Sequence, residues 1–208
     1  MRLVVITHPK HLPGEDRLLE VLFEQGLEYL HLRKPGSSMP QIVGLLQRIP
    51  EIYHKRIILH DNYKLVHEFG LGGIHVTGNT IAEELEAIPL HLHRSKSCHS
   101  FDEVLQCGSE YSYVFLSPIY DSISKKGYSS GFDKGELQKF FTKNSQITNC
   151  MALGGVRKDN VKELKFLGFN GGALLGSIWH GNNLTSEIVS ARFKEIAVNI
   201  NHNCEDGV

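Results

Sequence analysis

No stretch of the sequence approaches the roughly 20 consecutive apolar residues that a membrane-spanning helix requires, so the residues point to no membrane role. Neither sign of charge is in excess: 22 Lys and Arg against 23 Asp and Glu leave a net charge of −1 at pH 7. Without a basic field, neither nucleic acid nor an anionic membrane surface is a natural partner. Cysteine is scarce. The four (Cys98, Cys107, Cys150 and Cys204) form no C-x-x-C pair, which reads as reduced thiols of a cytoplasmic protein rather than a disulfide frame. Residues 1–6 (MRLVVI) are shorter than the apolar region of about 7–15 residues in a secretory leader. No Pro-rich, Ser-rich or charge-rich linker interrupts the chain, so its 208 residues read as one domain. Self-association into a homo-oligomer is left open.

What is present is alternation. Short apolar runs occupy residues 3–8 (LVVITH), 29–34 (YLHLRK), 56–61 (RIILHD), 73–78 (GIHVTG), 90–93 (LHLH), 113–117 (YVFLS), 150–155 (CMALGG) and 172–177 (GALLGS). They are too short for helices and end in polar residues or glycine, as buried parallel strands do. Between them, apolar residues recur at helical spacing over 16–25, 40–54, 159–167 and 186–198. In the second of these the apolar face is Ile42, Leu45, Leu46, Ile49 and Ile52. Eight strands alternating with helices imply a parallel sheet, and the count of eight favours a closed α/β barrel, a single-domain (β/α)8 TIM barrel. An open flavodoxin-like sheet would use five or six strands and leave the outer runs as decoration. The barrel is expected over residues 1–200, with 201–208 a frayed C-terminal tail.

In such a barrel chemistry gathers at the C-terminal ends of the strands. Gly154–Gly155 and Gly176–Ser177 end the last two runs. Backbone amides there can approach a phosphate, and a helix starting near Asp159 would add its dipole; tight turns alone would also call for glycine. Segment 121–128 (DSISKKGY) is polar and basic, and fits either a loop that closes over a polyanion or a solvated surface loop. Arg33 and Lys34 end the second strand and need an anionic partner, a substrate phosphate or a carboxylate such as Asp61. Asp61 is also a candidate Mg²⁺ ligand. His31, His60 and His75 fall near successive strand ends and raise the question of zinc or non-haem iron. Against that, the H-x-H of barrel metallo-hydrolases is absent near the first strand; His91 and His93 form one, with both side chains expected on one face of the fifth. Hydrogen bonding or acid–base work near neutral pH is the leading reading of these histidines.

The ordered strand ends resemble the thiamine-phosphate synthase/TenI superfamily over nearly the whole chain. Its Q-L-R-E-K after strand two is matched by His31-Leu32-Arg33-Lys34-Pro35, and its N-D after strand three by His60-Asp61. Its G-x-H-x-G-Q-x-D is matched by residues 73–80 (GIHVTGNT), and its S-x-H-S by Ser97-Cys98-His99-Ser100. Its G-P-x-F-x-T-x-T-K is matched by residues 117–125 (SPIYDSISK), and its final G-G-[IV] by Gly154-Gly155-Val156. The resemblance implies a (β/α)8 barrel. It also implies an enzyme of thiamine biosynthesis, a transferase that joins an aminopyrimidine diphosphate to a thiazole phosphate and releases diphosphate with help from Mg²⁺. Arg33, Ser97 and Lys125 would hold the diphosphate and Asp61 the Mg²⁺. Ser122, Ser124, Gly155 and the Leu175–Gly176 backbone would hold the thiazole phosphate. With Arg33, His60 and Lys125 in the catalytic role, His31, Lys34, His99, Gly154 and Ser177 complete the expected substrate contacts.

Three departures bear on this. The family's strand-two lysine is Pro35, with Lys34 beside it; its asparagine is His60; and its second Mg²⁺ aspartate falls on Thr80. A weak or substrate-dependent Mg²⁺ site is therefore expected, at the place where electrostatic stabilisation carries most of the catalysis. The TenI branch supplies an alternative, a thiazole tautomerase that moves a proton and needs no diphosphate. Its catalytic histidine after strand six is Pro118 here, as in the synthases. A non-catalytic phosphate-ligand-binding regulator is a further reading. A sugar-phosphate isomerase barrel would need a strand-end Glu or Lys base that is not seen where it should be.

Overall fold

The computed structural model describes residues 1–78, 80, 85–121 and 131–201. Parallel strands β1 (Arg2–Ile6), β2 (Tyr29–Leu32), β3 (Ile57–Leu59), β4 (Gly73–Val76), β5 (His93–Cys98), β6 (Tyr113–Leu116), β7 (Cys150–Leu153) and β8 (Gly171–Leu174) pair in chain order. The sheet closes where β1 meets β8, in register from Arg2 opposite Gly171 to Val5 opposite Leu174. Helices α1 (Glu15–Glu24), α2 (Met39–Leu46), α3 (Leu65–Glu68), α4 (Phe101–Cys107), α5 (Lys134–Lys143), α6 (Glu163–Leu167), α7 (Gly176–Trp179) and α8 (Ser186–Asn201) lie between and after the strands. The expected single-domain (β/α)8 barrel is the observed fold. None of the described helices is long and apolar enough to cross a membrane.

Four expectations are corrected. The helix expected over 40–54 stops at Leu46, and a 3-10 helix, Glu51–Arg56, follows Pro50. Proline has no amide hydrogen to continue a helical ladder, and Ile52 ends 78% exposed instead of in the core. The fifth strand is His93–Cys98 rather than 90–93. Residues 90–92 form a turn in which Leu92 N–H donates to Pro89 O (3.1 Å), and His91 is exposed off the strand, so His91 and His93 share no strand face. The helix expected from Asp159 begins at Glu163. Helix α8 continues through Asn201 with Ile200 buried, so the expected tail boundary at 201 moves outward; residues 202–208 lie outside the described part.

Strand side chains alternate between the two faces of the sheet. One row faces the helices and joins Leu18, Leu22, Leu45, Leu164 and Phe193 in the outer core. The other faces the barrel axis. On the β1, β6, β7 and β8 side this inner row is apolar or aromatic: Val4, Ile6, Tyr113, Phe115, Met151 and Ala173. On the β2 to β5 side it is polar: His31, His60, His75, His93, Ser95 and Ser97. His31, His60 and His75 are all buried; His31 packs edge to face on the other two, and His60 is stacked on His75 at 4.2 Å between centroids.

The polar half is hydrogen-bonded through. His31 Nδ1 meets His60 Nε2 at 2.9 Å, and His31 Nε2 meets the Tyr113 hydroxyl. His75 Nδ1 donates to Ser95 Oγ (2.9 Å), which itself points to Ile74 O (3.4 Å). His75 Nε2 accepts from Ser97 Oγ at 2.9 Å. Burial first, then the nearby Arg33 guanidinium and His93, hold His75 down to about 3. Burial likewise holds His93 at about 4. An unfolded chain takes up these protons below the ordinary histidine value of about 6.5, while the folded barrel stays neutral. Stability present above about 6.5 is therefore lost as pH falls, by about 1.4 kcal/mol per pH unit for each such histidine. For His75 alone the loss between pH 6.5 and 5 is about 2 kcal/mol. Urea midpoints at pH 7.5, 6.5 and 5 check this; a flat profile would refute it, and His75→Gln should make the fall shallower.

A second buried polar element braces the loop between β1 and α1. Lys34 and Glu15, both buried, form an ion pair. The same ammonium donates to His8 O (2.7 Å) and Lys10 O (3.0 Å). Lys34→Met would leave the buried Glu15 carboxylate with only the Leu12 amide (3.3 Å) and the His11 ring (3.8 Å) beside it, and should cost up to about 3–5 kcal/mol, read as a lower urea midpoint. A loss under about 1 kcal/mol would mean the pair does not brace the loop.

Candidate active site

The barrel mouth is built in two levels, a buried floor of imidazoles and hydroxyls and an exposed lip. The floor holds His31, His60, His75 and Ser97. Burial, followed by the fields of His75, His31 and Arg33, holds His60 well below the usual histidine range. His31 is held low by burial, then by His75 and His93. The floor is therefore a set of neutral imidazoles, without the positive charge that binds an anion. His31, expected as a substrate contact, is fully enclosed between His60 and Tyr113 and is corrected to an interior residue. Ser97 keeps partial exposure, and its hydroxyl proton is directed at His75.

Arg33, Asp61 and His99 form the lip, and all three are exposed. Thr7 fixes the Arg33 backbone from β1: its hydroxyl donates to Arg33 O (2.9 Å) and accepts from Arg33 N–H (3.0 Å). The guanidinium lies near enough to depress both His60 and His75. Among the described residues no carboxylate pairs with it, so Asp61 is not its partner. His99 turns Nδ1 to the Ser117 carbonyl (3.2 Å) and hydroxyl (3.3 Å), and Glu103 accepts from its backbone amide at 2.8 Å. Lys34 is corrected: expected at the substrate, it is held under the β1–α1 loop by Glu15 and two carbonyls, which use its three donors.

The far side of the mouth is made by the ends of β7 and β8. Gly154 and Gly155 have φ of +96° and +65°. A Cβ on Gly155 would lie 2.4 Å from Asp121 O and 2.7 Å from Tyr120 Cβ. The glycine pair thus lets the segment after β6 lie against the end of β7, a reason independent of any phosphate. Asn160 Nδ2 donates to Gly155 O (2.9 Å) and holds the turn. Leu175 and Gly176 are half-buried where β8 passes into the single turn of α7. That turn is held from both sides. Trp179 Nε1 donates to Ile6 O (2.7 Å), and Arg192 donates to Ile178 O (2.7 Å) and His180 O (2.8 Å). Ser177 Oγ is buried there without a hydrogen-bond partner among the described residues. It lines a cavity of about 380 Å³ beside Arg157, Lys158 and His180. Ser122, Ser124 and Lys125 lie outside the described residues.

Sequence reasoning gave no chemical role to Tyr113, Ser95, Glu15 or Tyr63. Counting alternate strand positions would have found the first two, since Ser95 lies opposite both His75 and Tyr113 in the barrel register. Tyr63 donates to His75 O (2.7 Å) and meets Thr80 Oγ1 (2.9 Å), which also accepts from Thr77 N–H (2.9 Å). A cavity of about 630 Å³ is lined by Phe141, Phe166 and Asn170, next to the loops that enter β7 and β8. It is at the end of the barrel away from the strand C-termini, the end that serves stability rather than chemistry in this fold.

A family model described as thiamine monophosphate synthase matches residues 3–178. The chain is 26% identical over 189 residues to a thiamine-phosphate synthase of Latilactobacillus sakei, covering 84% of each. It is 26% identical over 181 residues to one of Flavobacterium psychrophilum, covering 81% of this chain and 87% of that one. Among solved structures, a thiamine phosphate pyrophosphorylase from Bacteroides thetaiotaomicron superposes with a TM-score of 0.83 at 36% identity, covering 98% of this chain and all of that one. One from Pyrococcus furiosus shares the fold at 17% identity and a TM-score of 0.76. With a family model spanning most of its length, and a relative of more than a third identity covering nearly all of it, this chain belongs to the thiamine monophosphate synthase family.

Proposed function

We propose that the chain is a thiamine-phosphate synthase, a cytoplasmic transferase that couples an aminopyrimidine diphosphate to a thiazole phosphate and releases diphosphate. The observation that carries the reading, beside the family, is Arg33: an exposed guanidinium at the mouth, backbone-clamped by Thr7, with no carboxylate partner among the described residues. In the reaction the bond to diphosphate breaks as the bond to the thiazole forms, so negative charge grows on the leaving group. A planar five-donor cation held at the lip stabilises that charge more than it stabilises the bound substrate. Ser97 and His99, at the end of β5 and just after it, are further expected contacts to the substrate, and Lys125, from the sequence pattern, adds a second cation. The thiazole phosphate goes to the β7–β8 side, with backbone amides near Gly155 and Gly176 and hydroxyls of Ser122 and Ser124 as donors.

Mg²⁺ is the cation that the resemblance implies. Of the family's two carboxylates only Asp61 is present, exposed at the end of β3. The Thr80 hydroxyl is used by Tyr63 and the Thr77 amide. Mg²⁺ gives up its waters reluctantly and is usually held by one or two carboxylates plus substrate phosphates. The described protein groups do not build a stand-alone Mg²⁺ site; Asp61 would join its shell only when diphosphate oxygens are there.

The direct test supplies aminopyrimidine diphosphate, thiazole phosphate and Mg²⁺, and follows thiamine phosphate and diphosphate. Absence of turnover at any Mg²⁺ concentration would overturn the reading. Arg33→Ala should shift stability by less than about 0.5 kcal/mol, because the side chain is exposed. It should lower kcat/KM for the diphosphate substrate by about 10- to 150-fold, the loss of a charge-assisted contact worth about 1.5–3 kcal/mol. The KM for thiazole phosphate should stay unchanged, and equal losses for both substrates would count against the assignment.

A further inference from the structure

We propose that the floor of the barrel mouth is a transition-metal site, in which His31, His60 and His75 hold a dication of the Zn²⁺ class through three imidazole nitrogens. One ligating nitrogen of each residue lies within 4.8 Å of the other two, and all three residues are buried. A tetrahedral ion bound at about 2.0–2.1 Å sets its nitrogens roughly 3.3 Å apart. The His31 Nδ1 to His60 Nε2 separation is 2.9 Å, so small ring movements reach that spacing. The site does not depend on the synthase reading.

The surrounding hydrogen bonds leave the right lone pairs free. Ser95 Oγ accepts from His75 Nδ1–H, so His75 Nε2 carries its lone pair, now facing the Ser97 hydroxyl. With Tyr113 Oη accepting from His31 Nε2–H, His31 Nδ1 carries its lone pair toward His60. The one hydrogen between His31 Nδ1 and His60 Nε2 then belongs to His60, and a shift of that proton to His60 Nδ1 frees the third nitrogen with no net proton release. Metal-bound histidines characteristically donate their second N–H to a fixed acceptor, and Ser95 and Tyr113 occupy those positions here.

Donor type decides which ion. Three neutral nitrogens suit Zn²⁺, Co²⁺, Ni²⁺ or Cu²⁺, whereas Mg²⁺ takes oxygen ligands. The three protein ligands leave a fourth position, toward Ser97 and the mouth, for water or a substrate atom. The Arg33 guanidinium opposes a cation, but it is exposed and therefore screened, and a bound anion would neutralise it further.

The test loads the full chain with Co²⁺ or Zn²⁺, removes loose metal by gel filtration in millimolar Mg²⁺, and counts retained metal by mass spectrometry. Expected are one retained ion per chain and, with Co²⁺, the intense visible absorption of a four-coordinate centre. His75→Gln and His60→Asn should each weaken retention at least tenfold. A variant with His11, His91 and His180 changed to Ala should retain the ion, because it removes only groups away from the floor. No retained ion, retention indifferent to the two floor variants, or loss in the surface variant would each overturn the proposal. If the floor variants fail to fold, X-ray absorption on the unmodified Co²⁺-loaded chain decides. A first shell with three nitrogens at about 2.0–2.1 Å supports the site, and one of oxygens alone overturns it.

Discussion

Closure of eight strands around one axis commits every second residue of each strand to an interior of fixed volume that excludes water. That constraint governs the rest of the molecule. An apolar filling is the simple solution, and the β1, β6, β7 and β8 side uses it with Val4, Phe115 and Met151. The β2 to β5 side fills the same volume with imidazoles, and a buried polar network is stable only if it is satisfied throughout. Each histidine of the trio accordingly has a defined partner: His60 for His31, Ser95 and Ser97 for His75, and Tyr113 closing the chain from the opposite wall. The histidines stay neutral because burial leaves no compensating charge beside them.

The lip depends on that floor and on braces one strand away. Thr7 at the end of β1 fixes the backbone from which Arg33 projects. The next residue, Lys34, turns back to tie the loop after β1 through Glu15. Neighbouring residues thus divide the work, an exposed cation free for an anion and a buried one used for structure. On the far side Trp179 reaches β1 from α7, and Arg192 of α8 secures the end of that turn. Mouth segments held by buried donors and acceptors keep donor geometry fixed before a substrate arrives, which is where preorganised electrostatics acts.

Seven of the eight strands were legible because their outward rows are apolar and produce short hydrophobic runs. The fifth was not. His93–Cys98 reads H-R-S-K-S-C, polar at almost every position, since its inward Ser95 and Ser97 face His75. Its neighbour 90–93 looked more strand-like only because Leu90 and Leu92 alternate with histidines, and Leu90 is in fact 87% exposed. Pro50, which ends the helical ladder of α2, was visible but outweighed by periodicity that Ile52 continued by chance. The ring of strand-end residues was legible as a set, but not which member faces inward and which is already bound. That is how His31 and Lys34 came to be read as substrate contacts. Glycine at 154 and 155 stood out in the sequence, yet the close approach of Tyr120 and Asp121 that requires it at 155 is a tertiary fact.

The same strand topology accounts for the change at position 80. Tyr63, at the end of the loop after β3, donates to the carbonyl of His75 on β4 and so ties the two strands together above the histidine floor. With its proton given to that carbonyl, the tyrosine oxygen can accept a proton from Thr80, and Thr80 Oγ1 in turn accepts from the Thr77 amide. A hydroxyl serves both ends of this chain because it donates and accepts. A carboxylate accepts only, so it would meet the tyrosine oxygen without a proton between them unless Tyr63 turned away from His75 O. Threonine at 80 therefore belongs with the histidine at 75 and the tyrosine at 63 as one hydrogen-bonded unit.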